Sequence, residues 1–260
     1  MSTPTQPTSA GDAPLLYEEN GELSLHFNFP TIQSRMLKSD PERLVLDYTR
    51  TMMGFLLFHP QPERIAMIGL GGGSLAKYCR RKLPDSQFIA VELSAEVIGL
   101  RDQFGIPPDD ALFSIICADG ADFVRAESGS LDVLLVDGFD GSGQPGRLCS
   151  AAFYDDCHTA LRTGGILVVN LCADDTGYGS YVGRIGDAFS GKMVVVEAEE
   201  GDNKIVFASK NGVFPPGFSA LAERLRQLEA AHPLGLDRTA QMILQQKPAR
   251  NNGNARKKRS

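Results

Sequence analysis

The fold is decided by residues 65–74, which read IAMIGLGGGS. An apolar run that breaks into glycines before a helical pattern is typical of a parallel strand whose turn brings backbone N–H groups close to a ligand. Glu92 ends the next apolar run about 20 residues further on, and an acid there can accept hydrogen bonds from both hydroxyls of a ribose. Glycines alone also allow tight packing of a strand on a helix, but their combination with Glu92 favours a nucleoside site.

Short apolar runs alternate with helical patterns from residue 65 onwards. The predicted strands are 65–69, 87–92, 112–117, 131–137, 165–171, 193–198 and 203–209. The predicted helices are 74–83, 94–104, 120–127, 150–162, 178–190 and 217–231. Runs such as 131–136, which reads LDVLLV, are apolar on both faces, as central parallel strands covered by helices are. Residues 199–202, EEGD, join the last two strands as a hairpin, so the pattern predicts an α/β fold with a methyltransferase-type Rossmann sheet, mostly parallel and ending in an antiparallel hairpin.

A small N-terminal β element precedes this sheet. Residues 22–28 alternate with a period of two, which is typical of a half-exposed strand, and residues 15–17 can pair with them. Residues 41–58 then predict a helix with Asp40 as its N-cap and Pro41 at its first position. The predicted segments are a disordered N-terminus (1–13), a small β and helix region (14–60), a Rossmann-like catalytic domain (61–246) and a disordered basic tail (247–260).

Composition limits the class of protein. A chain of 260 residues with 42% hydrophobic content can bury one full core, and no apolar run approaches the ~20 residues of a membrane span. The N-terminus lacks the apolar core of a signal peptide. The five cysteines show neither a CxxC nor a Cys/His metal spacing, so we expect no metal and the reduced thiols of a cytoplasmic protein. The net charge is −6, and residues 247–260 carry +6, so the rest of the chain sums to −12. Such an acidic body argues against a nucleic-acid partner, whose phosphates favour a basic face.

The carboxyl ends of parallel strands meet at one edge of a sheet, where ligands bind. Strand 112–117 is followed by Asp119 and Gly120. Asp119 can accept from an adenine amino group, and it can equally cap the helix that follows. Strand 131–137 runs into Asp137 and Asp140, and a carboxylate there can hold a cationic amine and accept a proton as the amine attacks. The structural alternative is an Asp pair that only forms a turn.

These last residues carry a family resemblance. Residues 136–140, VDGFD, followed by Leu148 and the Phe153-Tyr154 pair, resemble the signature of the spermidine/spermine synthase (polyamine aminopropyltransferase) superfamily, in its spermidine-synthase-like bacterial branch. The resemblance implies transfer of an aminopropyl group from an S-adenosyl donor, decarboxylated S-adenosylmethionine, to a small-molecule amine, without a metal.

Roles for individual residues follow from the same resemblance. Asp137 would be the base, Asp140 would steer the amine, and Tyr48 would belong to the substrate site. The donor would be bound by Glu92 at the ribose and Asp119 at the adenine, within the implied set Gln33, Gly69, Gly71, Gly73, Glu92, Asp119 and Gly120.

Departures from the family pattern keep other functions open. Gly72 stands where the family has an acid that holds the donor's amino group and would repel a methionine carboxylate, which admits intact S-adenosylmethionine and a small-molecule methyltransferase. Thr49 follows Tyr48 in place of a glutamine, and residues 193–209 lack the family's tyrosines. A non-catalytic nucleoside-binding protein is therefore the third hypothesis. We expect neither nucleic acid nor membrane as a partner and leave the oligomeric state open, a homodimer included.

Overall fold

The computed structural model describes residues 13–27, 31–140, 143–210 and 212–246. The disorder predicted for residues 1–13 and 247–260 therefore concerns segments outside the described residues, apart from Ala13. The strands are β1 (Leu15–Glu19), β2 (Glu22–His26), β3 (Ser34–Leu37), β4 (Arg64–Ile68), β5 (Gln87–Glu92), β6 (Phe113–Cys117), β7 (Leu131–Val136), β8 (Leu161–Cys172), β9 (Met193–Glu197) and β10 (Asn203–Ser209). The α-helices are α1 (Asp47–Met52), α2 (Ser74–Lys82), α3 (Ala95–Gly99), α4 (Gly120–Ala126), α5 (Ala151–Ala160), α6 (Tyr178–Ala188), α7 (Phe218–Glu229) and α8 (Leu236–Gln245).

Seven strands form the large sheet, in the order β6-β5-β4-β7-β8-β10-β9. The first five run parallel, whereas β10 pairs antiparallel with both β8 and β9. Because successive parallel strands are joined through helices, their carboxyl ends all point to the same edge. The predicted fold, a mostly parallel Rossmann sheet ending in an antiparallel hairpin, is confirmed.

Apolar side chains cover both faces of this sheet. All six residues of β7 are buried, and alternate residues join two different clusters. Val133 and Leu135 pack with α2, α7 and α8, while Leu134 and Val136 pack with α4, α5 and α6. Burial on both sides explains why the central strands are largely apolar rather than alternating, with the buried Asp132 as the exception in β7.

The small sheet has the order β1-β2-β3 and is antiparallel throughout. The predicted pairing of residues 15–17 with 22–28 is confirmed as β1 and β2, although residue 28 lies outside the described residues. Strand β3 was not predicted. Its Met36 joins the same core as α2, and the buried Lys77 of α2 approaches the Met36 sulfur at 3.1 Å and donates to the carbonyl oxygen of Phe104 at 2.6 Å. The small sheet is thereby held against α2.

The predicted helix 41–58 is wrong in its first half. The chain turns until Leu46, α1 covers only Asp47–Met52, and a 3-10 turn, Met53–Leu57, follows. The Arg50 guanidinium donates to the carbonyl oxygens of Leu44 and Val45, at 2.9 and 3.0 Å. Since a side chain bonds those carbonyls, the helix starts after them. Asp40 is therefore not an N-cap.

The other predicted boundaries hold more closely. Helix 94–104 is confirmed only as α3, because most backbone bonds beyond it span three residues rather than four, as from Leu100 to Val97. Strand β8 starts at Leu161, earlier than predicted, so helix 150–162 ends at Ala160. Helix α8 was not predicted, although its buried Leu236, Thr239, Ala240 and Ile243 follow a helical spacing.

Asp47 joins α1 to the loop between β9 and β10. This buried carboxylate begins α1, and its Oδ2 accepts hydrogen bonds from the backbone N–H groups of Glu199 and Glu200, the latter at 3.0 Å. The loop between β9 and β10 is thus fixed against the helix that carries Tyr48. Two charge-assisted bonds at one oxygen make this a strong constraint on the loop.

Candidate active site

A cavity of about 1360 Å³ opens at the carboxyl ends of β4, β5, β7 and β8. Eight carboxylates line it, and Arg147 is the one basic side chain among its described lining residues. The carboxylates are Glu92, Glu96, Asp119, Asp137, Asp140, Asp174, Asp175 and Asp202. Such an excess of negative charge attracts cations and disfavours anionic ligands.

The structure brings together most of the predicted site residues. The lining includes Gln33, Tyr48, Gly69, Gly71, Glu92, Asp119, Gly120, Asp137 and Asp140. Gly73 is not among them. It faces Ile106, and a Cβ added to Gly73 would lie 2.5 Å from Ile106 Cδ1. Gly73 instead adopts a left-handed conformation as the N-cap of α2. Its part in the site is the shape of the turn.

The turn after β4 passes close over the end of β7. Gly69 has a φ of +90°, and a Cβ there would lie 2.3 Å from the carbonyl oxygen of Asp137. Its N–H donates to Val91 O at 2.8 Å, while the N–H of Asp137 donates to Ile68 O at 2.9 Å. Only glycine satisfies both the conformation and the contact. The ends of β4, β5 and β7 are therefore locked together.

Glu92 is held in place by the backbone. Its Oε2 accepts from the N–H of Leu70 and its Oε1 from the N–H of Ser94, both at 2.9 Å. A carboxylate offers about four lone-pair positions, so about two remain for a ligand. The acid that ends β5 is thus fixed before any ligand arrives, with acceptor capacity facing the cavity.

Asp119 is the N-cap of α4. Its Oδ1 accepts from the N–H groups of Ala121 and Asp122, at 2.8 and 3.2 Å, and its Oδ2 pairs with Arg147 at 2.6 Å. Gly120 follows it, and a Cβ on Gly120 would lie 2.2 Å from Ile68 Cγ2. The capping role that the sequence offered for Asp119 is present. A role toward adenine stays a prediction.

Asp137 receives two side-chain hydrogen bonds at the end of β7. Asn170 Nδ2 donates to its Oδ1 at 2.8 Å, and the Tyr48 hydroxyl donates to its Oδ2 at 3.3 Å. Burial raises the pKa of Asp137, while these two donors act in the opposite direction. Burial and the charge of Asp137 together raise the pKa of Tyr48 well above its usual value, so Tyr48 stays a hydrogen-bond donor.

Asp140 lies further out. It is exposed at the cavity mouth, in a loop closed by backbone bonds between Asp140 and Gly143 at 2.9 and 3.2 Å.

Two pairs of cavity residues on this side were missed by the sequence analysis. They are Asp174-Asp175 after β8 and Asp202-Asn203 at the start of β10. The first pair follows the end of β8, and the second follows the turn between β9 and β10. Acids and amides directly after strand 165–171 were the signal that could have found the first pair.

Position 72 is turned away from the cavity. A Cβ on Gly72 would lie 2.6 Å from Ser34 Oγ and 2.8 Å from the ring of Phe104, and Gly72 is not a lining residue. A side chain here would meet the small sheet and not a ligand. The expectation that Gly72 opens the donor site to a methionine carboxylate therefore loses its geometric basis.

The described part of the chain contains neither a metal-site cluster nor a membrane-spanning helix. No group of three or more His, Cys, Asp or Glu side chains there has the arrangement of a metal site. Within residues 13–27, 31–140, 143–210 and 212–246, no helix has the length and apolar character to cross a membrane.

Sequence comparison identifies the family. No protein-family model matches the chain. It is 40% identical over 213 residues to the polyamine aminopropyltransferase of Chromobacterium violaceum, covering 82% of each chain. The chain belongs to the polyamine aminopropyltransferase family. The polyamine aminopropyltransferase of Neisseria meningitidis serogroup A is 36% identical over 236 residues, which is 90% of each chain, so the predicted membership is confirmed and the protein is a transferase.

Solved structures agree on the fold of this aminopropyltransferase-family chain. A probable spermidine synthase from Corynebacterium glutamicum superposes with a TM-score of 0.69 at 23% identity, covering 87% of this chain and 88% of that one. Human methyltransferase-like protein 13 in complex with SAH superposes with a TM-score of 0.65 at 22% identity, covering 71% of this chain and 91% of that one. A spermidine synthase in complex with the transition-state analogue AdoDATO superposes with a TM-score of 0.62 at 23% identity, covering 79% of this chain and 72% of that one.

The contact at Gly69 leads to a prediction about stability. We expect Gly69→Ala to lower the free energy of unfolding by about 2 kcal/mol or more, because a left-handed alanine costs about 1–2 kcal/mol and its Cβ must also displace Asp137. Gly99→Ala is the matched control, since a Cβ there meets no atom within 4 Å. It should leave stability unchanged or slightly higher. Urea denaturation measures both, and equal values for the two variants would contradict the contact.

Proposed function

We propose that this chain transfers an aminopropyl group from decarboxylated S-adenosylmethionine to a small-molecule amine, with Asp137 as the general base. The observation that carries the proposal is a buried carboxylate at a strand end, held by Tyr48 and Asn170 inside an acidic cavity. Membership of the polyamine aminopropyltransferase family supports the reaction type.

The donor would occupy the glycine end of the cavity. Glu92 would accept the ribose hydroxyls with its unused lone pairs, while Asp119 and Gly120 would meet the adenine and Gln33 would contact the donor from the small sheet side. A spermidine synthase of the same fold was solved in complex with AdoDATO, which supports an S-adenosyl type of ligand. The cavity volume of about 1360 Å³ exceeds the ~300–1,000 Å³ of an ordinary single-ligand site, so it suits two substrates.

The amine would occupy the acidic end. Its protonated form is attracted by Asp140 and the neighbouring carboxylates, and Tyr48 would lie beside the attacking nitrogen. Asp137 would accept a proton from the ammonium group, which frees the electron pair of that nitrogen to form a bond to the propyl carbon next to the sulfonium. The carbon–sulfur bond breaks and the sulfur keeps the electron pair in methylthioadenosine. The protein's part is alignment, exclusion of water and acceptance of this proton.

The reaction type is tested by incubating the full chain with decarboxylated S-adenosylmethionine and a series of diamines. We expect release of methylthioadenosine together with an aminopropylated amine, detected by mass spectrometry. Intact S-adenosylmethionine in place of the decarboxylated donor should give no transfer. Methylation of an amine with release of S-adenosylhomocysteine would favour the methyltransferase instead. Binding without any product would favour a nucleoside-binding protein.

Adenosyl binding should depend on Glu92. We expect Glu92→Ala to weaken the binding of methylthioadenosine by about 2–4 kcal/mol, because the ribose hydroxyls lose a charged acceptor. Calorimetric titration should therefore show a Kd roughly 30- to 1,000-fold higher. Glu96→Ala removes the same chemical group from the neighbouring helix and should change Kd less than about threefold. Equal affinities in Glu92→Ala and the wild type, with melting curves showing both folded, would exclude the ribose role.

Turnover should depend on Asp137. In single-turnover reactions with saturating donor, Asp137→Asn should lose roughly 10²–10⁴ of the rate, the usual contribution of a positioned base, while donor affinity stays unchanged. Asp140→Asn should mainly raise the KM of the amine. Because burial raises the pKa of Asp137, the wild-type rate should fall, as pH drops, at a pH above the ordinary range of an aspartate. A near-normal rate in Asp137→Asn would rule out its role as base.

A further inference from the structure

A chain of amide hydrogen bonds leads from the hairpin to Asp137. Asn203, the first residue of β10, donates from Nδ2 to Asn170 Oδ1 at 2.9 Å. Asn170, near the end of β8, donates from its own Nδ2 to Asp137 Oδ1 at 2.8 Å. Asn170 is only 2% exposed, so its amide has no bulk water as an alternative partner. Each polar atom of that amide therefore depends on one protein neighbour.

An asparagine amide presents a donor on one side and an acceptor on the other. An ionised carboxylate only accepts, so the nitrogen of Asn170 must face Asp137 while that residue acts as a base. The reverse orientation would set the amide oxygen against Asp137 and would require Asp137 to carry a proton. Asn203 supplies a donor on the far side, and this contact satisfies the oxygen of Asn170 in the first orientation.

We propose that Asn203 is a positioning residue, which fixes the amide of Asn170 with its nitrogen toward Asp137 and so keeps Asp137 able to accept a proton. The orientation of the amide follows from the contacts alone, and only the role of Asp137 as base rests on the proposed function. Asn203 acts through Asn170 and does not itself touch Asp137 in this arrangement.

The backbone of Asn203 is held independently of its side chain. It pairs with Cys172 in the register of β8 and β10, and its carbonyl oxygen accepts from the N–H of Ala198 at 3.0 Å. A change of side chain at position 203 therefore leaves the strand pairing in place. This makes the amide chain accessible to substitution.

Other charges also act on Asp137 and must be separated from the amide chain. Tyr48 contacts it from α1. The charged and titratable groups that share its cavity are Glu92, Glu96, Asp119, Asp140, Arg147, Cys172, Asp174, Asp175 and Asp202. Asp202 precedes Asn203 directly, so it offers a carboxylate close to position 203 that lies outside the hydrogen-bond chain.

A double-mutant cycle on the unliganded protein tests the orientation. Asn203→Asp places an acceptor where the donor stood, so the Asn170 oxygen faces a carboxylate in either orientation. We expect the Tm to fall by about 4–8 °C, the size expected in a chain of this length for a buried amide left without a partner. In the Asp137→Asn background the whole chain can reverse, because the new amide at position 137 can donate to Asn170. There the same Asn203→Asp change should lower Tm by less than about 2 °C.

The Asp202→Asn background is the matched control. It removes a neighbouring negative charge without entering the amide chain, so Asn203→Asp should keep most of its full effect on Tm there. If Asn203→Asp lowered Tm equally little in the Asp202→Asn and Asp137→Asn backgrounds, charge repulsion alone would explain the fall of Tm in the wild type. That result would overturn the proposal. An equal fall of Tm in the wild-type and Asp137→Asn backgrounds would overturn it as well, and so would the absence of any fall.

A kinetic measurement distinguishes positioning from a general structural defect. If aminopropyl transfer is found, Asn203→Asp should move the acid limb of the rate–pH profile about one unit higher, which is tenfold in proton affinity. The rate should then recover toward wild type at alkaline pH, with the KM of the donor unchanged. A uniform loss at every pH would contradict the proposal. If positions 203 and 137 are coupled in Tm but no aminopropyl transfer is found, the proposed orientation of the Asn170 amide stands. The proposed function is then rejected.

Discussion

The close approach of Gly69 to the carbonyl oxygen of Asp137 is the constraint on which the rest of the site depends. The turn after β4 can cross the end of β7 only because Gly69 carries no side chain and adopts a positive φ. The same turn bonds to β5 through Val91. Three strand ends are therefore fixed relative to one another, and with them Glu92 and Asp137. A site built on strand ends keeps its geometry more accurately than one built on loops.

Carboxylates gathered in one cavity repel one another, and backbone or side-chain donors offset this. Glu92 receives two backbone N–H groups, Asp119 receives two and an arginine, and Asp137 receives an amide and a phenol. Both donors at Glu92 and two of the three at Asp119 come from the backbone at the starts of helices and turns. The two described donors at Asp137 are side chains, so a substitution at either one changes the hydrogen bonding of this carboxylate.

The sequence was sufficient to predict the central strands and the residues that end them. Central strands such as β7 are apolar on both faces, and the residues that end them, Glu92 and Asp137, meet because parallel strands share one edge. The predicted helix 41–58 was wrong because apolar spacing is also satisfied by a turn followed by a short helix, and the Arg50 side chain decided between them. The contact of Asn203 with Asn170 could not be predicted, since it depends on the register of β10 on β8.

The bonds from Asp47 to the hairpin loop have a consequence for the order of assembly. The glycine end of the cavity arises from the strands β4, β5 and β7, whose contacts, such as that of Gly69 with Asp137, join residues at most about 70 positions apart. The acidic end requires α1 to meet residues 199 and 200, about 150 positions away. Contacts of such long separation form late, because the intervening chain must first be ordered. A partly folded chain would therefore present a nucleoside-sized cleft before it could hold a second molecule.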